Sequence, residues 1–245
     1  MKHSLSLVLA LVCLAVASVS MAYPSLSGPT GTGVLPDAGV VGDGLLHIAA
    51  DAYNAQQVSG LSLPIRLEYG VSKKMELGGV ITTGNTSAWN LNGKISYPTS
   101  RRGSADCAIG ARFSYIDTNQ FDRDAYQIYG VASKDFHSAN TNLRGSVGLS
   151  WTDIHFMPHH NASAFRPFTG LNFSLPHGAN VMIDYQFRSN ALEDNTLYSI
   201  VARIPLSTLL TGEIGFTNMN LDGVTGNSST GIFAGVNYAF SSEMH

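Results

Sequence analysis

Residues 63–81 read LPIRLEYGVSKKMELGGVI, and the spacing of their apolar positions decides the fold class. Ile65, Leu67, Tyr69 and Val71 alternate with Arg66, Glu68 and Gly70. Ser72, Lys73 and Lys74 interrupt, and Met75, Leu77, Gly79 and Ile81 resume the alternation. Successive side chains of a strand point to opposite faces, so this is a pair of strands, each half apolar and half polar, joined by a tight polar turn.

The unit recurs down the chain. Twelve windows carry it, at 44–54, 63–71, 75–84, 88–97, 106–117, 125–134, 142–153, 164–175, 179–189, 195–205, 209–219 and 230–241. Their length, about ten residues, is what a tilted strand needs to cross a bilayer core, whereas strands of soluble proteins usually run about five or six. In the fourth window Trp89, Leu91, Gly93, Ile95 and Tyr97 share one face, and Asn90, Asn92, Lys94 and Ser96 the other. The seventh sets Leu143, Val147, Leu149 and Trp151 against Arg144, Ser146, Ser150 and Thr152. The ninth sets Val181, Ile183, Tyr185 and Phe187 against Met182, Asp184, Gln186 and Arg188. The sixth, 125–134, alternates poorly.

Composition agrees. Only 13% of the 245 residues are charged and 25 are glycine, against roughly 25% charged in an average soluble chain. No apolar run reaches the ~18 residues of a transmembrane helix. An all-β chain with few charges and no such run suits a single antiparallel transmembrane β-barrel of about 12 strands, lipid-facing outside. A net charge of −3 gives no argument for nucleic acid.

The start, MKHSLSLVLALVCLAVASVSMA, has Lys2, an apolar stretch from Leu5 to Val19, and Ser20 and Ala22 spaced for cleavage. Residues 1–22 therefore read as a secretory signal. Removing it takes Cys13 with it and leaves Cys107 alone, so no intrachain disulfide is expected. Residues 23–42 are rich in Pro and Gly without alternation and form a leader that could fold back as a lumen plug. The barrel takes 43–241, and 242–245 is a tail.

With the first strand running outward, the loops near 55–62, 85–87, 118–124, 154–163, 190–194 and 220–229 face outside. Trp89, Tyr115, Trp151 and Tyr198 then fall near the outer strand ends, and Tyr97, Tyr238 and Phe240 near the inner ends. Two such girdles are what the lipid–water interfaces favour.

The opposite face carries the charges: His47, Asp51, Arg66, Glu68, Glu76, Lys94, Arg112, Arg144, Arg166, Asp184, Arg188, Arg203 and Glu213. Charges away from bulk water must be paired or solvated. One reading is a narrow pore whose Arg-rich wall favours small hydrophilic or anionic solutes. The other is a set of Arg–carboxylate pairs that close the lumen, leaving a structural or partner-docking barrel.

Two stretches resemble known proteins. The ending FAGVNYAF is similar to the closing strand that bacterial outer-membrane proteins present to the barrel assembly machinery, with SSEMH following it here. PSLSGPTGTGVLPDAG, with RLEYGVSKKMELGG after it, resembles the opening of YjbH-like outer-membrane barrels linked to exopolysaccharide loci, over Pro24 to Gly79. That resemblance implies an outer-membrane location and an accessory role in surface polysaccharide export.

The expected partners are therefore outer-membrane lipid, the assembly machinery, and small solutes or polysaccharide. His155, His159 and His160 cluster in an outer loop without a carboxylate among them, so no metal site is assigned. Ser150 and Ser163 lie near His155 in sequence, which keeps a lipid hydrolase as a further alternative. Nothing fixes a nucleophile–base geometry, so no catalytic residue and no cofactor is expected.

Overall fold

The computed structural model describes residues 24–54, 61–84, 87–99, 104–117, 122–137, 142–156, 160–192, 195–219 and 226–241. Twelve antiparallel strands close into one barrel. They are β1 (Leu45–Asn54), β2 (Leu63–Ser72), β3 (Met75–Thr83), β4 (Ser87–Tyr97), β5 (Asp106–Asp117), β6 (Asp122–His137), β7 (Asn142–Phe156), β8 (His160–Ser174), β9 (Asn180–Gln186), β10 (Leu197–Pro205), β11 (Leu210–Met219) and β12 (Gly226–Ser241). Each strand pairs with its sequence neighbours, and β1 pairs with β12 from Leu45↔Ser241 to Asn54↔Ile232. The fold class read from the sequence is the observed one. The expected signal segment, 1–22, and the expected tail, 242–245, lie outside the described residues.

The four strands β6, β7, β8 and β12 run longer than their apolar pattern. Their extra residues include Asp122, Arg123, Asp124 and His155. Beyond the bilayer core both faces tolerate polar groups, so pairing continues where the period fades. The outer loop expected at 154–163 is consequently mostly paired strand, with His155 opposite Asn161 and Phe156 opposite His160. His155 and His160 are strand residues, not loop residues, and His159 lies outside the described residues.

The outside is apolar. Leu91 is 60% exposed and Val147 63%, in company with Ile65, Leu67, Ile81, Ile109 and Ile200. A surface of this kind fits the hydrocarbon of a bilayer and no aqueous phase. Rings gather toward the strand ends. Trp89 meets Phe113 edge-on at 5.2 Å and Tyr115 at 6.1 Å, and Tyr126 sits 4.8 Å from Phe113. At the opposite end Tyr238 and Phe240 lie 4.4 Å apart and Tyr97 is exposed. The hydroxyl of Tyr198 is hydrogen-bonded with Thr230. Trp151 lies deeper along its strand, because β7 continues to Phe156.

The inside is packed by register. Bulky inward side chains lie flat over a glycine directly opposite on the next strand: Tyr129 over Gly110, Phe168 over Gly148, Phe233 over Gly215 and Glu68 over Gly78. A β-carbon at Gly148 would stand 2.2 Å from the Phe168 ring, and one at Gly110 would stand 2.3 Å from the Tyr129 ring and hydroxyl. The same inward face explains the irregular sixth strand. Ala125, Gln127, Tyr129, Val131 and Ser133 point in and are buried, while Tyr126 and Ile128 point out and are exposed. Both faces of β6 carry apolar residues because its inner face meets an apolar filling.

Two substitutions test these assignments. Leu91→Arg puts a guanidinium on the lipid face at a cost of about 2–4 kcal/mol, so folding yield into vesicles should fall well below wild type; equal insertion would reverse the assigned face. Gly148→Ala forces a buried ring to shift, at a cost of about 1–3 kcal/mol. The urea midpoint in detergent should drop accordingly, and an unchanged midpoint would contradict the packing.

Candidate functional site: the filled lumen

The leader occupies the lumen. From Pro24 to Val41 nearly every residue is buried. Pro and Gly deny it a strand, and it folds on itself instead. The amide of Ser25 donates to Pro29 O at 2.9 Å, Leu26 to Gly33 O at 2.9 Å, Thr32 to Leu35 O at 3.0 Å and Asp37 to Thr30 O at 3.3 Å. Gly28 takes φ +115°, open to glycine, and its α-carbon faces Asn90 and Asn92 so closely that a β-carbon would stand 2.8 Å from Asn92 Nδ2. The folded leader then meets inward side chains of β2 through β7, β9 and β10.

Two wall carboxylates hold its donors. Glu76 accepts from the Thr30 amide at 3.0 Å, the Thr30 hydroxyl at 2.7 Å and the Val41 amide at 2.8 Å. Asp184 accepts from the Thr32 hydroxyl, from the Val34 amide at 2.6 Å and from Ser199 at 2.8 Å. Wall cations hold its acceptors. Arg66 and Arg203 both donate to Pro24 O at 2.9 Å, Arg112 to Ser27 O at 2.9 Å, and Lys94 to Thr30 O at 2.6 Å. Ser133 receives the Ala38 amide at 2.9 Å, and Ser96 donates to Ala38 O at 2.6 Å. Hydrogen bonds with a charged partner contribute about 1.5–3 kcal/mol each, so the leader is held firmly.

The same charges are paired with one another, mostly across adjacent strands. Glu76 faces Lys94 at 3.1 Å, and Arg203 faces Glu213 at 2.9 Å. Arg66 bridges Asp51 at 2.7 Å and Glu213. Glu68 accepts from Asn92 at 2.7 Å, Arg112 reaches Gln127 at 2.7 Å, and Arg166 donates to Phe187 O at 3.2 Å. Arg66, Glu68, Glu76 and Arg166 have no exposed surface, so the lumen is closed to solvent beside them.

Two residues sit apart from this set. Arg144 stands at the inner rim, 18% exposed, reaching Asp37 of the leader at 3.3 Å and Asp135 of the wall at 2.9 Å. Arg188 corrects the sequence reading. β9 ends at Gln186, and Arg188 is exposed beyond it rather than on the wall.

Apolar residues complete the filling. Leu26, Val34, Leu35 and Ala38 of the leader cluster with Tyr53, Tyr129, Val131, Phe168, Met182, Val201 and Phe233 of the wall. Toward the outer end, Leu192, in the 3-10 turn Asn190–Leu192, packs on Ala125 and Ile154. Sequence reasoning named the charged wall residues, placed Ser96 on the polar face of its strand, and missed Thr30, Thr32 and Ser133. Short hydroxyls signal nothing alone, although each of these wall serines falls on the inward period. Ser150 is buried in the lumen, hydrogen-bonded to Arg166 O and Gln186. His155 lies on the opposite face between Asp124 at 3.3 Å and Asp153 at 3.2 Å, so Ser150 and His155 form no nucleophile–base pair.

No protein-family model matches the chain, and no curated protein does. Among solved structures the chain is similar to a KdgM porin, 9% identical, the match covering 79% of this chain and 99% of that one with a TM-score of 0.55. It is similar also to a KdgM porin in complex with disordered oligogalacturonate, at 8% identity, 80% and 99% coverage and a TM-score of 0.54. The Acinetobacter baumannii outer membrane protein Omp33 aligns at 10% identity over 80% and 97%, with a TM-score of 0.43. At these identities the likeness is one of fold. The chain has the fold of a closed antiparallel β-barrel, of the kind seen in the KdgM porin.

Proposed function

We propose that the protein, after loss of residues 1–22, sits in the bacterial outer membrane and passes small hydrophilic solutes through a lumen that its own leader shuts at rest. The burial of residues 24–41 against inward side chains of eight strands carries this reading. A charged, hydrogen-bonding wall around a filling supplied by the leader is the arrangement of a plugged pore. The pairing of Arg66, Arg203 and Lys94 with Asp51, Glu213 and Glu76 leaves the wall nearly balanced in charge. Neutral or weakly charged polar solutes suit it better than a polyanion such as the oligogalacturonate of the KdgM complex.

A second reading has support of its own. The apolar cluster of Val34, Leu35, Phe168 and Phe233 behaves as a core, which suits a closed barrel that docks partners, in surface polysaccharide export if the leader resemblance extends to role.

Planar-bilayer recordings separate the two. The wild-type protein should be almost silent. Val34→Asp drives a carboxylate into the apolar cluster, unseats the leader without touching the wall, and should give discrete conductance steps. A Val34→Asp protein that folds, by heat-modifiable migration, yet stays silent would eliminate the pore. Asp37→Asn removes an ion pair at the rim whose other member, Arg144, keeps Asp135, so openings should rise no more than about fivefold, the equivalent of ~1 kcal/mol; a larger rise would place the closure at the rim.

A further inference from the structure

We propose that the lumen wall is a binding site for a Gly/Pro-rich backbone turn, and that residues 24–41 are an occupant exchangeable for the same turn on a separate peptide. The proposal concerns recognition and does not depend on solute passage.

The leader is a self-contained unit. Its turns are closed by its own amides and carbonyls, from Ser25–Pro29 to Asp37–Thr30, and Ser27 Oγ donates to Val34 O at 2.5 Å. Internal bonds of this kind restrict the peptide's own conformations, which lowers the entropy lost on binding. Its covalent tie to the barrel is the short link Gly42–Asp43–Gly44, in which Gly42 and Asp43 are exposed at the inner mouth. Gly44 takes φ +68°, and its amide donates to Gly70 O at 2.9 Å before β1 begins.

The wall reads that unit as a ligand. It addresses main-chain groups and short hydroxyls: carbonyls of Pro24, Ser27, Thr30 and Ala38 receive wall donors, and amides of Thr30, Val34 and Val41 donate to Glu76 and Asp184. Selectivity comes from places with no room for a side chain. A β-carbon at Gly33 would stand 2.4 Å from Val201 and 2.7 Å from Ser199 Oγ, as one at Gly28 would meet Asn92. The leader's one charge, Asp37, stays at the rim with Arg144. The ligand class is thus a turn peptide with glycine at these two positions and no charge except an acidic residue at the rim, opposite Arg144, and the leader of a second copy of this chain meets the requirement.

The test uses the full-length folded protein with a sequence-specific protease site inserted between Gly42 and Asp43. After cutting, the leader should stay with the barrel through gel filtration, and a fluorescent synthetic peptide of residues 24–42 should exchange into it. The same peptide carrying Gly33→Leu should not compete. Asp184→Asn weakens the charged acceptor and should speed exchange about tenfold. The proposal fails if cutting unfolds the barrel, if the leader is lost and no labelled peptide enters, if the Gly33→Leu peptide competes equally, or if the Asp184→Asn barrel never exchanges. Conductance recorded on the same cut sample is a separate readout, so exchange without current would sink the pore and leave the binding site standing.

Discussion

One buried carboxylate, Glu76, joins the wall to what it encloses. It is fully enclosed, paired across the strand ladder with Lys94, and shared with donors of Thr30 and Val41. In an interior closed to solvent each polar group must find its partner within the protein. Wall and leader answer one another on those terms: the wall supplies donors for the carbonyls that Pro and Gly leave free, and the leader supplies amides for carboxylates that would otherwise be costly. Neither surface is satisfied alone. Buried ion pairs contribute little net stability but are severely missed when one member is removed, so the charged lining serves mainly to fix where the leader rests.

Most of the barrel was legible in the sequence because a strand with one face in lipid and one in the lumen has a period of two that survives inspection. Leu91 against Asn92 and Val147 against Ser146 sorted correctly by that rule alone, and the structure exposes the first of each pair and buries the second. Register was not read from the sequence; the structure sets Glu76 opposite Lys94 and Arg203 opposite Glu213.

What could not be read follows from the filling. β6 has Tyr129 and Val131 on the face that the rule reserves for polar residues, because there the lumen is an apolar core. The leader's seat is invisible for a related reason: it is recognised through its main chain, which every sequence shares, and through glycines whose meaning is an absence of atoms. Arg188 failed because nothing in 179–189 marks the end of pairing at Gln186; the break comes from the turn that carries Leu192 into the outer end.

The leader runs directly into β1, and β1 is the strand that meets β12. The part of the chain that fills the interior therefore lies before every strand, and the strand that seals the cylinder lies after all the others. Nothing has to be threaded through a finished wall: the sheet can curl around a turn already formed, and the long-range pairing of the two ends, the slowest kind to form, becomes the final step. A leader displaced at that moment would be left outside a sealed cylinder, with no route back except through its inner mouth. The geometry of enclosure thus favours an order in which the leader is seated before β1 meets β12.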